Sequence, residues 1–119
     1  MDEDVIAFAR ADGDACVQVF FIRGGKLTGR DYFVLEGAAE EADAEIMTSF
    51  LKQFYDQSPS VPPQIVLPQE VDELMIIRDW LQSKRGEKVT LKIPRRGKHK
   101  ELLEMAAENA SETLTHLRA

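Results

Sequence analysis

The sequence predicts an α/β domain built on a mixed five-stranded sheet with three helices. Three observations carry that expectation. Apolar, β-branched and aromatic runs separated by glycine-containing turns fill residues 4 to 35, and apolar residues at helical spacing set in only beyond residue 40. From there, helical and short extended segments alternate to the end of the 119 residues. A chain of this length forms one domain of about two layers.

The elements follow in order. "DVIAFAR" and "ACVQVFFIR" read as two antiparallel strands joined by the turn "ADGD". "RGGK" then supplies the positive φ angles that a two-residue hairpin turn requires. "KLTGRDYFVL" is a third strand, with Gly29 as a bulge position. From about Glu40 to Gln57 the period changes, and Ile46, Phe50 and Phe54 recur at helical spacing beside Met47 and Leu51. The prolines of "SPSVPP" end this helix, and "QIVL" is a short buried strand closed by Pro68. Leu74, Ile77 and Leu81 mark a second helix to about Lys84, with Gly86 as its stop. Val89, Leu91 and Ile93 alternate in a last strand. A third helix follows Gly97, with Leu103, Ala107, Ala110, Leu114 and Leu117 on one stripe.

A three-stranded meander followed by alternating helices and strands is the ribonuclease H-like arrangement. A ferredoxin-like fold would place a helix directly after the first strand. No internal repeat or low-complexity tract interrupts the order. The start "MDEDVIAFAR" has no basic segment followed by a long apolar one, which makes the cytoplasm the expected compartment. No apolar run approaches the roughly 20 residues of a membrane-spanning helix. The one cysteine, Cys16, lies inside an apolar strand and reads as a small buried hydrophobe.

The net charge of −6 conceals a strong polarisation. Residues 84–100 carry eight Lys and Arg against the single acid Glu87, so this window is +7 and the remainder −13. Screening limits the reach of distant charges to about 8–10 Å, so one basic face can bind phosphate despite the acidic total.

Nucleases of this architecture place carboxylates on the first strand, on the first helix and at the end of the fourth strand, to hold two metal ions. The corresponding positions here are Ala7, Phe8 and Ala9, then Pro68 and Gln69. Asp4 and Glu70 lie nearby but are displaced. His99 and His116 lack companions at ligand spacing and read as surface histidines on a helix. Carboxylates in "EGAAEEADAE" read as the dipole-favoured start of the first helix. No catalytic constellation, metal site or cofactor motif is expected.

"IPRRGKHKELL" remains. Pro94 and Gly97 shape the turn, the helix start presents unpaired amides, and Lys98 and Lys100 sit where cations oppose the helix dipole. Amides, Arg and Lys together make an anion site, and a glycine lets phosphate approach the backbone. The expected phosphate contacts are Arg95, Arg96, Gly97, Lys98 and Lys100, with Lys84, Arg85, Lys88 and Lys92 extending the surface.

Taken in order, "ACVQVFFIRGGKLTGRDYF", "FLKQFY" and "IPRRGKHKELLEMAAENA" resemble the middle region of the UvrC family, the excinuclease component of bacterial nucleotide excision repair. The resemblance covers nearly the whole chain. It implies that residues 1–119 are a single degenerate ribonuclease H-like domain from a longer multidomain protein. The family's catalytic endonuclease domain, its other nuclease domain, its UvrB-binding segment and its helix-hairpin-helix pair have no counterpart here. The implied role is to position nuclease domains on damaged DNA through its phosphates. A scaffold contacting UvrB or neighbouring UvrC domains is the alternative, and no incision chemistry carries over to any residue.

Overall fold

The computed structural model describes residues 1–117. Its elements are β1 (Glu3–Ala11), β2 (Asp14–Arg23), β3 (Lys26–Leu35), α1 (Asp43–Gln57), β4 (Gln64–Val66), α2 (Leu74–Arg85), β5 (Thr90–Lys92) and α3, which begins at Lys98 and runs to Leu117. The sheet order is β3-β2-β1-β4-β5. β1 to β3 form the antiparallel meander, while β4 and β5 add in parallel beside β1. This is the predicted element order and a mixed five-stranded sheet.

The two hairpins follow from local backbone demands. Asp12 and Gly13 have φ of 49° and 86°, and Gly24 and Gly25 have 61° and 78°, the left-handed pairs that match the twist of flanking strands. The bulge falls where β2–β3 pairing passes from Phe21↔Gly29 to Ile22↔Leu27, leaving Thr28 as the extra residue.

Helices cover both sheet faces. On one face α1 and α2 set Met47, Phe50, Leu51, Tyr55, Ile77 and Leu81 against Ile6, Val17, Val19 and Ile65. On the other, Leu103 and Ala106 of α3 pack on Val5, Ala7, Phe20, Ile22 and Val66, and Ala110 and Leu114 pack on Cys16. Alternation along β1 therefore sends Asp4, Ile6 and Phe8 towards α1, and Glu3, Val5 and Ala7 towards α3.

Several element details differ from the sequence reading. α1 begins at Asp43, three residues later than expected, because Glu36 to Ala42 turn the chain from β3. Its start is closed by Glu45, whose carboxylate accepts the Ala42 N–H at 3.1 Å. The buried stripe of α3 is Leu103, Ala106, Ala110 and Leu114. Ala107 is half-buried, and Leu117 is exposed because it runs past the strands.

Candidate nucleic-acid interface

The turn between β5 and α3 places the basic residues where the sequence suggests. Gly97 has φ +88°, a conformation costly to any residue with a Cβ, and its carbonyl accepts the Glu101 N–H at 3.1 Å as the first helical bond. Arg95, Arg96 and Lys98 are exposed, and Lys100 is half-buried. Among the described residues, none of these four cations is held in an ion pair or a side-chain hydrogen bond. Lys92 joins them: its register partner Val66 lies under the first turns of α3, so Lys92 points to the same face at the sheet edge.

The other cations of the 84–100 window lie elsewhere. Lys84 and Arg85 are in the last turn of α2, where cations suit the helix dipole. Lys84 Nζ stands 5.4 Å from the Trp80 ring centre. Arg85 donates to the Val61 carbonyl at 2.7 Å and to Glu87 at 3.2 Å. Lys88 lines a hollow with Leu74, Arg78 and Gln82 on the α2 side. The sheet edge thus divides one continuous run of charge into two surfaces, and among the described residues the α3 side is the one where such cations adjoin the free backbone amides of a helix start.

His99 corrects the reading of a solvated surface histidine. Its Nε2 lies 3.1 and 3.0 Å from the two carboxylate oxygens of Glu3, and Gln64 Nε2 donates to Glu3 Oε1 at 2.6 Å. Glu3 is only 8% exposed. Between Lys98 and Lys100, which carry their charge without a partner, His99 is the side chain of the first turn that reaches inward. Part of the positive potential at the start of α3 is therefore met within the chain, by a buried carboxylate on β1.

At the nuclease-like positions, Ala7 lies against α3, and Phe8 packs towards Ile46 and Leu35. Pro68 and Gln69 follow β4. Among the described residues no group of three or more His, Cys, Asp or Glu is placed to hold a metal ion. Asp4 and Tyr55, neither assigned a role by the sequence, form a buried hydrogen-bonded pair.

A second surface lies on the α1 side. The free edge of β3 from Tyr32 to Leu35, together with Phe21, Phe50, Phe54 and the loop Ser58–Ser60, walls a groove of about 890 Å³. Its floor is aromatic: ring centres of Phe33 and Phe50, and of Phe50 and Phe54, stand 5.3 Å apart.

A five-stranded sheet in this order, with α1 and α2 on one face and α3 on the other, defines a ribonuclease H-like domain. The chain belongs to the family described as the UvrC ribonuclease H-like domain, whose model matches residues 2–117. It is 54% identical over 109 residues to UvrABC system protein C of Acetivibrio thermocellus, covering 92% of this chain and 17% of that protein. It is 46% identical over 114 residues to the Clostridioides difficile protein of the same name, covering 96% and 19%. With the Symbiobacterium thermophilum protein, also of that name, it shares 45% over 118 residues, covering 99% and 19%. The chain thus spans less than a fifth of the length of these relatives. Among the described residues no helix is long and apolar enough to cross a membrane.

Proposed function

We propose that this domain is a non-catalytic positioning element of the UvrC excinuclease in bacterial nucleotide excision repair, acting on DNA in the cytoplasm. It holds duplex phosphates through Arg95, Arg96, Lys98 and Lys100, with Gly97 letting a phosphate approach the amides of α3, and Lys92 extends this surface. The observation that carries the reading is the cluster of unpaired cations around a left-handed glycine at a helix start, an arrangement that costs the free fold and favours an anion. Such contacts fix orientation without reading bases. A non-catalytic role is supported by the side chains at the nuclease-like positions, Ala7, Phe8, Ala9, Pro68 and Gln69, which offer no carboxylate. The test is duplex binding by fluorescence anisotropy for the parent and for a variant with all four cations changed to Ala. Equal affinity of the two proteins would sink the phosphate reading, and incision with Mg²⁺ or Mn²⁺ that is lost on changing Asp4 or Glu70 would sink the non-catalytic one.

The groove beside β3 favours a second reading, a scaffold that contacts UvrB or other domains of the longer polypeptide. An unpaired strand edge running along an aromatic groove suits an added peptide strand. The two surfaces lie on opposite sheet faces and are compatible with each other.

A further inference from the structure

We infer that Glu3 and His99 form a proton-operated control on the phosphate site, so that duplex affinity rises when His99 is protonated. The inference rests on the phosphate reading above and names how that site is regulated. His99 is a positioning residue in it: it touches Glu3, not the phosphate.

The geometry isolates one titratable contact. Both carboxylate oxygens of Glu3 lie within 3.1 Å of His99 Nε2, and the other contact, Gln64, is a neutral amide that can donate a hydrogen bond but no charge. Across the sheet, Ile22, Glu3, Gln64 and Thr90 form one row beneath the start of α3, and Phe20, Val5, Val66 and Lys92 form the next. The sheet therefore presents Glu3 and Lys92 to this region, with Arg30 at the β3 end of the second row turned towards Asn109, further along α3. From the chain on the helix side come Arg95, Arg96, Lys98, Lys100 and Glu101. Of all these groups, histidine is the one whose ordinary titration falls near neutrality.

The sign follows from charge. With a neutral imidazole, the buried Glu3 carboxylate stands uncompensated behind the basic turn, in surroundings that screen it poorly, and it repels an arriving phosphate. With an imidazolium, the pair is neutral as a unit, and the field of the surrounding Lys and Arg acts on the phosphate undiminished. By reciprocity, phosphate binding draws a proton onto His99. A purely structural bond between α3 and β1 would give the opposite response to removal of the carboxylate, since losing the tether would loosen the turn.

The chain holds only two histidines, which makes the test clean. Binding of a fluorescent duplex to the 119-residue chain is measured at fixed low salt near pH 5.5 and near pH 8. The parent is expected to bind about fivefold more tightly at the lower pH, a typical coupling between sites. His99→Gln should bind at the weak level at both, and Glu3→Gln at the tight level near pH 8 and at least as tightly near pH 5.5. His116→Gln should behave as the parent, since His116 lies about 25 Å along the helix from His99. Calorimetry of the parent in buffers of different ionisation enthalpy should show proton uptake on binding, which keeps the inference testable where a variant folds poorly. A parent with pH-independent affinity and no proton uptake overturns it, as does Glu3→Gln binding at the weak level. If the quadruple alanine variant loses binding while the parent shows no pH dependence, this inference falls and the phosphate reading stands. Absence of duplex binding by the parent at either pH removes both.

Discussion

Tyr55 of α1 donates its hydroxyl hydrogen to Asp4 Oδ2 of β1 at 2.6 Å, with both side chains sealed beneath the helix. Arg23 Nη1 stands 3.0 Å from the other oxygen, Oδ1, but donates its hydrogen bonds to the carbonyls of Glu3 and Ile22. Oδ1 thus receives charge attraction and no aligned hydrogen bond. The Tyr55 hydroxyl is therefore the one directed donor to a buried carboxylate. Tyr55→Phe should cost about 1.5–3 kcal/mol at neutral pH, the range for a hydrogen bond to a charged group. Tyr32→Phe, at an exposed ring, should stay within about 0.5 kcal/mol. Urea unfolding of the two variants measures the contrast, and equal costs would mean that water replaces Tyr55 at Asp4.

The same pair sets a dependence of stability on pH. Burial pushes the Asp4 carboxyl above its ordinary 3.8, against the lowering effects of Tyr55 and Arg23. A raised carboxyl binds its proton more tightly in the fold than in the unfolded chain. Its contribution is therefore full below 3.8 and is lost as pH rises through the raised folded value. Asp4→Asn should accordingly gain stability relative to the parent as pH rises from about 4 to 7. At the alkaline end, burial and then the neighbouring Asp4 push Tyr55 well above its ordinary 10.0. Burial pushes Cys16 above 9.0. Both contribute stability that is present below those ordinary values and declines above them. Chemical denaturation in steps from acid to alkaline pH should show the parent weakening beyond about pH 9, with part of that slope absent in Tyr55→Phe.

Gly97 tests the turn without touching charge. A Cβ added there meets nothing within 4 Å, so the cost of Gly97→Ala is backbone strain at φ +88° and not collision. Left-handed backbone costs an L residue about 1–2 kcal/mol, and thermal or urea unfolding should report that loss. A neutral result would show that the turn relaxes to another conformation, and duplex affinity would then change with it.

The sheet, the turns and the helix count were legible because each rests on local chemistry. Asp12-Gly13 and Gly24-Gly25 dictate the hairpins, apolar period separates strand from helix, and Gly86 with φ +81° ends α2 as its position suggests. What the sequence hid depends on contacts between distant residues. By sequence the first strand opens at Asp4, with Glu3 outside it, yet both are buried, because β4 flanks β1 there and the helices cover its two faces. Their partners, His99 and Tyr55, lie 96 and 51 residues away, beyond any spacing rule. Thr48 is a similar case: its hydroxyl accepts the Asp72 N–H at 2.9 Å, 24 residues away, and ties α1 to the loop before α2. In α3, Ala106 and Ala107 fit the apolar period almost equally. The sheet beneath decides for Ala106.

The division of the basic run by the sheet edge gives the last prediction. Arg95, Arg96, Lys98 and Lys100 surround the start of α3 without partners, whereas Arg85 is bonded to Val61 and Lys84 and Lys88 lie towards α2. If the four neutralise one phosphate each, the slope of log affinity against log salt for duplex DNA should be about −3 to −4, with each removed charge reducing its magnitude by about one. Lys84→Ala and Lys88→Ala should leave the slope unchanged. Arg85→Ala should act on stability, since it removes a charged donor from the Val61 carbonyl at a cost of about 1–3 kcal/mol. Lys98→Ala should do the reverse: affinity falls, while folding is intact or slightly improved because a cation opposed to the helix dipole is gone. Salt titrations by anisotropy, paired with thermal melts of the same variants, separate the two classes. A slope that falls equally on changing Lys84 or Lys98 would show that duplex spans both faces of the sheet edge, contrary to the assignment made from their geometry.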